Sequence, residues 1–197
     1  MKIFFAELKT SALLTLVFAV LLCGAYPLVV WAGAQAIFPA KANGSLVTDK
    51  DGTVRGSALL AQSFTSDKYF HPRSSAAGTG YDASSSSGTN LGPTSQKLND
   101  SIKAAVAAYR TANGLKDTDV VPADAVTSSG SGLDPHISVA NANIQAARVA
   151  KARGLAPEKI SAVIATHTEG RDLGVLGEAG VNVLLLNRAL DQNGVAP

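Results

Sequence analysis

Residues 10–40, TSALLTLVFAVLLCGAYPLVVWAGAQAIFPA, contain no charged side chain and lie between Lys9 and Lys41. An uncharged apolar stretch of more than about 20 residues can cross the roughly 30 Å hydrocarbon core of a bilayer as a helix. We therefore predict a transmembrane helix over roughly residues 11–33, within an anchor segment of residues 11–38. This anchor decides the organisation of the chain, because everything after it must fold as a separate domain.

Two export signals compete with this interpretation. A cleaved signal peptide has an apolar core of about 7–15 residues followed by a small-x-small site. Residues 32–34 provide such a site, Ala-Gly-Ala, but the apolar core before it is too long. A lipoprotein signal requires a small residue before its cysteine, whereas Leu22 precedes Cys23. We retain the uncleaved anchor as the interpretation.

The anchor follows a short tail of residues 1–10 and contains small residues suited to close helix packing, Gly24, Ala25 and Gly33. Lysines flank both ends of the anchor, so the excess of positive charge does not decide its orientation. Long domains are translocated largely regardless of charge, and a short Lys-bearing N-terminus is typical of a signal anchor. We predict a cytoplasmic N-terminus and an extracytoplasmic domain.

Residues 41–197 are numerous enough to bury a core without disulfides or metals. The whole chain carries 17 basic and 15 acidic side chains, for a net charge of +2. This balance argues against a nucleic-acid partner, which calls for a clustered basic surface. Cys23 is the sole cysteine of the sequence, which excludes intramolecular disulfides and cysteine-based zinc sites.

The pattern of residues 41–197 predicts an α+β domain with few strands. Residues 45–57 predict a hairpin that turns at Asp51-Gly52. Residues 74–95 are rich in Ser and Gly and hold a single charge, a composition that we expect to form a long loop that does not pack.

Hydrophobic periodicity and end signals predict three helices. The first covers about residues 96–113 and ends at Gly114. The second covers about residues 139–153, with Ser138 as N-cap and Gly154 beyond its end. The third runs from Pro157 to about His167. The apolar run 181–186 predicts a short buried strand, and Asp134 to Ser138 is interpreted as a turn that leads into the second helix.

Short catalytic and metal-binding motifs are absent from the sequence. Residues 78–83 match a loose dinucleotide fingerprint but follow no predicted strand. Residues 128–132 lack the first glycine of a nucleophile elbow. The three histidines are far apart and have no metal-ligand spacing. We predict no catalytic residue and no metal site, with a signal-anchored extracytoplasmic hydrolase or binding domain as the alternative.

Several longer blocks resemble, in order, the signature blocks of the C subunit of the bacterial Kdp potassium-transporting ATPase. They are residues 43–47 (NGSLV), 55–62 (RGSALLAQ), 69–73 (YFHPR), 89–95, 122–138, 148–153 and 181–190. The resemblance covers nearly the whole chain, including the N-terminal span. Long blocks in fixed order are far more specific than any short motif discussed above.

The resemblance implies a non-catalytic accessory subunit of a high-affinity, ATP-driven potassium uptake complex in the bacterial cell (inner) membrane. The partners it implies are a potassium-conducting subunit, a P-type ATP-hydrolysing subunit and a small single-span subunit, besides the lipid bilayer. The complex would use ATP and potassium, and this chain would carry no cofactor of its own. Subunits of this family are described as catalytic chaperones that raise the ATP affinity of the hydrolysing subunit.

Candidate binding or interaction residues within the resembling blocks are Gln62, His71, Arg73, Asn90, Ser129, Asp134 and His136. An ATP-associated glutamine is proposed for the family; Gln62 is our candidate for a glutamine that is important in the family, without an alignment to that role. An extracytoplasmic domain cannot touch cytoplasmic ATP, so its effect on the hydrolysing subunit would be transmitted. The alternative is an inward-facing domain that binds nucleotide directly.

Overall fold

The computed structural model describes residues 1–192 of the chain. It consists of two compact units, Met1–Leu46 and Val47–Pro197. The first unit is helical, and the second is an α+β domain with small antiparallel sheets. The predicted α+β class with one N-terminal apolar helix is therefore confirmed.

The first unit is dominated by a continuous helix of 36 residues, Lys2–Ile37. It comprises α1 (Lys2–Phe18), a π-helical segment (Ala19–Ala25) and α2 (Tyr26–Ile37). At 1.5 Å per residue it is about 54 Å long, more than a bilayer core requires. It begins at Lys2, so the segment set apart as a tail is helical from its second residue. A short helix, α3 (Pro39–Ala42), follows.

The π-helical segment lies immediately before the proline of the span. The N–H of Tyr26 bonds to the carbonyl oxygen of Leu21, five residues earlier. Pro27 has no N–H and therefore cannot continue the ladder of hydrogen bonds. Prolines and π-turns are established sites of helix distortion, so the helix is irregular near its middle.

The second unit begins with the predicted hairpin. β1 (Leu46–Thr48) and β2 (Val54–Ser57) form a two-stranded sheet. The connecting turn is closed by the Asp49 N–H, which bonds to the carbonyl oxygen of Thr53 at 2.9 Å. Gly52 adopts φ +83°, a conformation that favours glycine, and this confirms the predicted Asp-Gly turn.

A second, three-stranded antiparallel sheet has the order β3 (His136–Ser138), β5 (Gly180–Asn182), β4 (Thr168–Glu169). Val181 of the central strand pairs with Ile137 on one side and Thr168 on the other. The prediction that His136 to Ser138 belong to a turn was therefore wrong, because these residues find strand partners more than 40 positions away.

The predicted helices are confirmed as α4 (Gln96–Asn113), α6 (Val139–Arg153) and α7 (Pro157–Thr166), with a short α5 (Ala123–Val126) between the first two. Ser138 caps α6, accepting the Asn141 N–H at 3.1 Å on its hydroxyl oxygen. Gly114 and Gly154 follow the helices in the left-handed conformation. Local capping signals therefore set these helix ends.

Only the first two residues of the predicted strand 181–186 lie in a strand. The strand ends at Asn182, and α8 (Val183–Gln192) begins at once. Leu186 and Leu190, four residues apart, are fully buried on one face of this helix. A six-residue apolar run fits both a strand and a buried helix, and packing selects the helix for its last four residues.

The core lies between α6, α7, α8 and the three-stranded sheet. Its fully or almost fully buried members include Phe70, Ile137, Val149, Ile160, Ile164, Val181, Leu186 and Leu190. Phe70 comes from none of these elements but from the long irregular segment between β2 and α4. The core thus depends on a loop residue that must be held in place.

Residues 74–95 form a loop, as predicted, but the expectation that this loop does not pack was wrong. Ala77 is fully buried. The N–H of Ser87 bonds to the carbonyl oxygen of Ser131, and the N–H of Ser129 bonds to that of Ser74, each at 3.0 Å. Small side chains let the two Ser/Gly-rich segments approach closely enough to exchange backbone hydrogen bonds.

Candidate functional site

The segment 69–73 is fixed by amide side chains that act as substitute strand partners. Asn187 Oδ1 accepts the N–H of Phe70 at 2.8 Å, and its Nδ2 donates to the Phe70 carbonyl at 2.9 Å. Gln145 makes the same two contacts with His71: its Oε1 accepts the His71 N–H at 2.7 Å, and its Nε2 donates to the His71 carbonyl oxygen at 3.1 Å. The backbone beside the core is therefore fully hydrogen-bonded without belonging to a sheet.

Two arginines of α6 satisfy the carbonyl groups just before this segment. Arg148 Nη1 donates to the carbonyl oxygens of Asp67 at 2.7 Å and Tyr69 at 3.0 Å. Arg153 Nε donates to that of Lys68 at 2.7 Å, and its Nη2 pairs with Asp191 at 2.8 Å. Charged side chains that would face solvent on an ordinary helix thus hold residues 67–69 against α6.

A further buried polar network joins α4, α5 and the start of α6. Asp124 accepts hydrogen bonds from the N–H and hydroxyl of Ser138, each at 2.8 Å, and from Asn141 Nδ2 at 2.9 Å. Asn141 Oδ1 in turn accepts from the Tyr109 hydroxyl and from Gln145 Nε2, each at 2.8 Å. Burial raises the pKa of Tyr109, so this hydroxyl stays protonated and able to donate.

Three of the predicted site residues, Arg73, Asp134 and His136, meet in a half-buried group that we call the charged cluster, together with Glu169. Arg73 Nη1 lies 3.0 Å from Asp134 Oδ2. His136 places Nδ1 3.7 Å from Asp134 Oδ1 and Nε2 3.3 Å from Glu169 Oε2. The imidazole therefore lies between two carboxylates.

The charges of this cluster stabilise one another. The His136 side chain and backbone N–H, together with Arg73, lower the pKa of Asp134 to about 2. Asp134 and Glu169 raise the pKa of His136 above its ordinary value, in opposition to burial. A protonated His136 consequently links β3 to β4, two strands that are not neighbours in the sheet.

The remaining predicted site residues lie apart from the charged cluster or serve the backbone. Ser129 is buried, and its Oγ accepts the N–H of Gly132 at 3.1 Å. His71 places Nε2 3.2 Å from the Ser66 carbonyl oxygen, and burial lowers the pKa of its imidazole. Asn90 is exposed, with φ +52°. None of these contacts joins a serine hydroxyl to a histidine.

Gln62 lines a cleft of about 940 Å³ between the hairpin and α8. Its side chain lies over Gly56, where an added Cβ would overlap Nε2. The arginines of the cleft, Arg55 and Arg188, both pair with Asp49. Their positive charges are therefore largely balanced within the chain.

Among residues 1–192, no group of three His, Cys, Asp or Glu side chains is arranged to hold a metal ion.

Sequence reasoning missed the residues that hold the irregular backbone, chiefly Asn141, Gln145, Arg148, Arg153 and Asn187. A signal for the first three existed in the sequence. They are spaced i, i+4 and i+7, so they share one side of α6, where periodicity alone would call for apolar residues. Polar side chains on an inward helix face indicate buried backbone groups that need partners.

The structure defines an α+β protein whose buried polar side chains hold its own loops, and its one apolar N-terminal helix, long enough to cross a bilayer, fits a membrane location. A family model described as "KdpC: K+-transporting ATPase, c chain" matches residues 8–192. The match covers both the helix and nearly all of the domain. The chain therefore belongs to the KdpC family, and it is a subunit of a K+-transporting ATPase.

Curated relatives agree with this assignment. A potassium-transporting ATPase KdpC subunit of Mycobacterium tuberculosis is 52% identical over 186 residues, 94% of this chain and 98% of the relative. That of Rhodospirillum rubrum is 56% identical over 168 residues, 85% and 86% of the two chains. That of a Caulobacter species is 57% identical over 175 residues, 88% and 87% of the two chains.

Proposed function

We propose that this chain is a non-catalytic accessory subunit of a high-affinity potassium uptake complex whose ATP-hydrolysing site lies on a P-type partner subunit. The other partners are a potassium-conducting subunit and a small single-span subunit. The complex uses ATP and potassium, and this chain carries no cofactor. Its role is to stabilise assembly with the ion-conducting subunit and to raise the ATP affinity of the hydrolysing subunit.

The observation that carries this proposal is the helix Lys2–Ile37, no residue of which is buried within the described residues 1–192. A Cβ at Gly24 or Gly33 would meet no other atom within 4 Å, so both positions are open to close approach. In a membrane, small residues let a second helix pack backbone against backbone. Gly24, Ala25 and Gly33 are accordingly the proposed contact with the potassium-conducting subunit.

In the proposed topology the N-terminus is cytoplasmic and the α+β domain lies outside, over the ion entrance of the conducting subunit. The charged cluster and the buried amides support this role, since they give the domain one rigid form to present. The proposed interaction residues are Gln62, His71, Arg73, Asn90, Ser129, Asp134 and His136. Of these, Arg73, Ser129, Asp134 and His136 also help to preserve that form. A reporter enzyme that is active only outside the cytoplasm, fused after the domain, tests the orientation.

An effect on ATP affinity from outside the membrane must be transmitted through the subunits. The chain can raise affinity only by binding the ATP-competent conformation of the complex more tightly than the other conformation. By linkage, ATP must then tighten the binding of this chain by the same factor. Tighter binding of the full chain when ATP is present, with no nucleotide bound by the isolated chain, supports transmission, whereas nucleotide binding by the isolated chain supports the inward-facing alternative.

The deciding experiment purifies the tagged full chain in mild detergent from cells that also produce the suspected partners. Recovery of a potassium-conducting subunit and a P-type ATPase subunit is the expected result. Recovery of the chain alone contradicts the accessory role and favours a free-standing binding or hydrolytic domain. A version that starts at residue 41 should be recovered without partners if the helix makes the main contact.

A further inference from the structure

The connection between β4 and β5 exposes three large apolar side chains within four positions. Leu173 is 89%, Val175 72% and Leu176 58% exposed. Single exposed apolar residues are ordinary on protein surfaces, but a contiguous group marks an interaction site. We call residues 171–177 the apolar loop.

The apolar loop is held in one conformation by its own backbone. Asp172 and Leu176 exchange two hydrogen bonds, each 2.9 Å long, and the N–H of Gly174 bonds to the carbonyl oxygen of Arg171 at 3.1 Å. Leu173 adopts φ +53°, a left-handed conformation that is costly for a leucine. Such conformations persist where the surroundings determine them and concentrate at functional sites.

The base of the loop is also fixed. Glu169 and Gly180, which flank it, face each other across the β4–β5 ladder. His136 lies beside both: its Nε2 lies 3.3 Å from Glu169 Oε2, and a Cβ added to Gly180 would lie 3.4 Å from the His136 Cβ. A loop ordered in advance loses little conformational entropy when it binds a partner.

The charges around the loop indicate the kind of partner. Residues 169–179 carry three acidic side chains, Glu169, Asp172 and Glu178, and one basic side chain, Arg171. Anionic bilayer surfaces attract basic segments, so this loop is poorly suited to a lipid surface. An apolar protein pocket bordered by Lys or Arg side chains is complementary to it in both shape and charge.

We propose that the apolar loop docks into such a pocket on another subunit of the same membrane complex, with Leu173, Val175 and Leu176 as the inserted side chains. The proposal rests on the accessory role proposed above and adds to it the surface that makes contact. Both the helix and the loop then bind partners, at different places on the complex.

The test adds purified full chain to a complex prepared without it and measures the dissociation constant. Leu173→Asn removes the apolar side chain but keeps a residue that tolerates positive φ. With Leu176→Asn as a second variant, each change is expected to raise the dissociation constant about tenfold or more. The matched control is Val120→Asn, at a position 86% exposed outside the loop, and it should leave binding unchanged.

Unchanged binding by both leucine variants, with near-UV circular dichroism like that of the unaltered chain, overturns the docking role of the loop. Failure of the unaltered chain to bind overturns the accessory role itself, so the two proposals fail in distinguishable ways.

Glu178→Arg tests the charge of the pocket. It should weaken binding, and tighter or equal binding contradicts a basic border.

A fluorescent label identifies the occupant directly. Bimane is attached at Val175→Cys in a chain that also carries Cys23→Ser, because Cys23 is exposed. Its emission should shift to the blue when the other subunits are added to the proteoliposomes. A shift in vesicles of phosphatidylethanolamine and phosphatidylglycerol without those subunits would assign the loop to the membrane. A shift that depends on the concentration of the chain alone would assign it to self-association, and either result overturns the proposal.

Discussion

A Cβ on Gly132 would lie 2.7 Å from the backbone nitrogen of Ala77. Two Ser/Gly-rich segments, residues 74–95 and 127–132, are therefore packed backbone against backbone at this point. The same Cβ would lie 2.7 Å from the carbonyl oxygen of Ser87. Residues that look like a flexible linker in the sequence thus form a close contact beside the ion pair of Arg73, which precedes the first segment, and Asp134, which follows the second.

Gly132→Ala is expected to destabilise the domain by about 2–4 kcal/mol, from left-handed strain and overpacking together. The matched control is Gly114→Ala, which has a similar positive φ but no atom within 4 Å of the new Cβ. It should cost about 1 kcal/mol. Urea unfolding of the full chain in mild detergent, followed by the near-UV signal of its tyrosines, measures both. Equal losses of stability in the two variants would show that the backbone around Gly132 has room for a Cβ.

Asn187→Ala removes both hydrogen bonds to the backbone of Phe70 and leaves two buried polar groups without partners. We expect a loss of about 2–4 kcal/mol in the free energy of unfolding. Asn99→Ala, at an exposed position on α4, should change it by no more than about 0.5 kcal/mol. A similar small effect at Asn187 would mean that water or another side chain replaces the amide.

The contribution of His136 to stability should depend on pH. Its pKa is raised in the folded chain by Asp134 and Glu169, so the stabilisation is fully present below the unfolded pKa of about 6.5 and is lost as pH rises through the folded pKa. Asp134 stays ionised in this range, since its pKa is about 2. The destabilisation caused by His136→Gln should thus be larger at about pH 5.5 than at about pH 8.5.

Glu169→Gln provides the control for that pH dependence. It removes the carboxylate that lies 3.3 Å from His136 Nε2. In a chain that carries Glu169→Gln, the loss in free energy of unfolding caused by His136→Gln should therefore depend less on pH. Urea unfolding at the two pH values measures all four chains. A difference that is the same at both pH values would exclude a stabilising charge on His136.

Gly33→Leu tests the helix contact without disturbing the domain. No atom lies within 4 Å of the new Cβ, so the chain itself should remain folded. In the complex the larger side chain should separate the packed helices, and we expect several-fold less of the partner subunits to be recovered with the tagged chain. Val29→Leu, a small enlargement at a position 71% exposed on the same helix, is the control. Equal recovery would place the contact elsewhere.

Much of the fold could be predicted because its signals are local. The C-terminal end of α4 and both ends of α6 follow from Gly114, Ser138 and Gly154, each of which acts on backbone within a few positions. The apolar run 181–186 was assigned wrongly in its last four residues because its length fits either element. Only contacts of Leu186 with distant residues distinguish a helix there.

The site was predicted less completely. Arg73, Asp134 and His136 could be selected as candidates from their blocks, but nothing local shows that they meet one another and Glu169. The amides of Gln145 and Asn187 were missed for the same reason. Asn187 lies 117 positions from Phe70, whose backbone it bonds, and no spacing in the sequence records that pairing.

The sequence by itself determined the apolar N-terminal helix, the α+β class and the capped helices, because apolar length, periodicity and end signals act over a few residues. The tertiary structure decided where β3 pairs, how the Ser/Gly-rich segments pack and which polar side chains satisfy the irregular backbone around Phe70. Each buried N–H and C=O must find a partner. Which side chain provides it depends on what packing brings within about 3 Å, and that is a property of the folded chain.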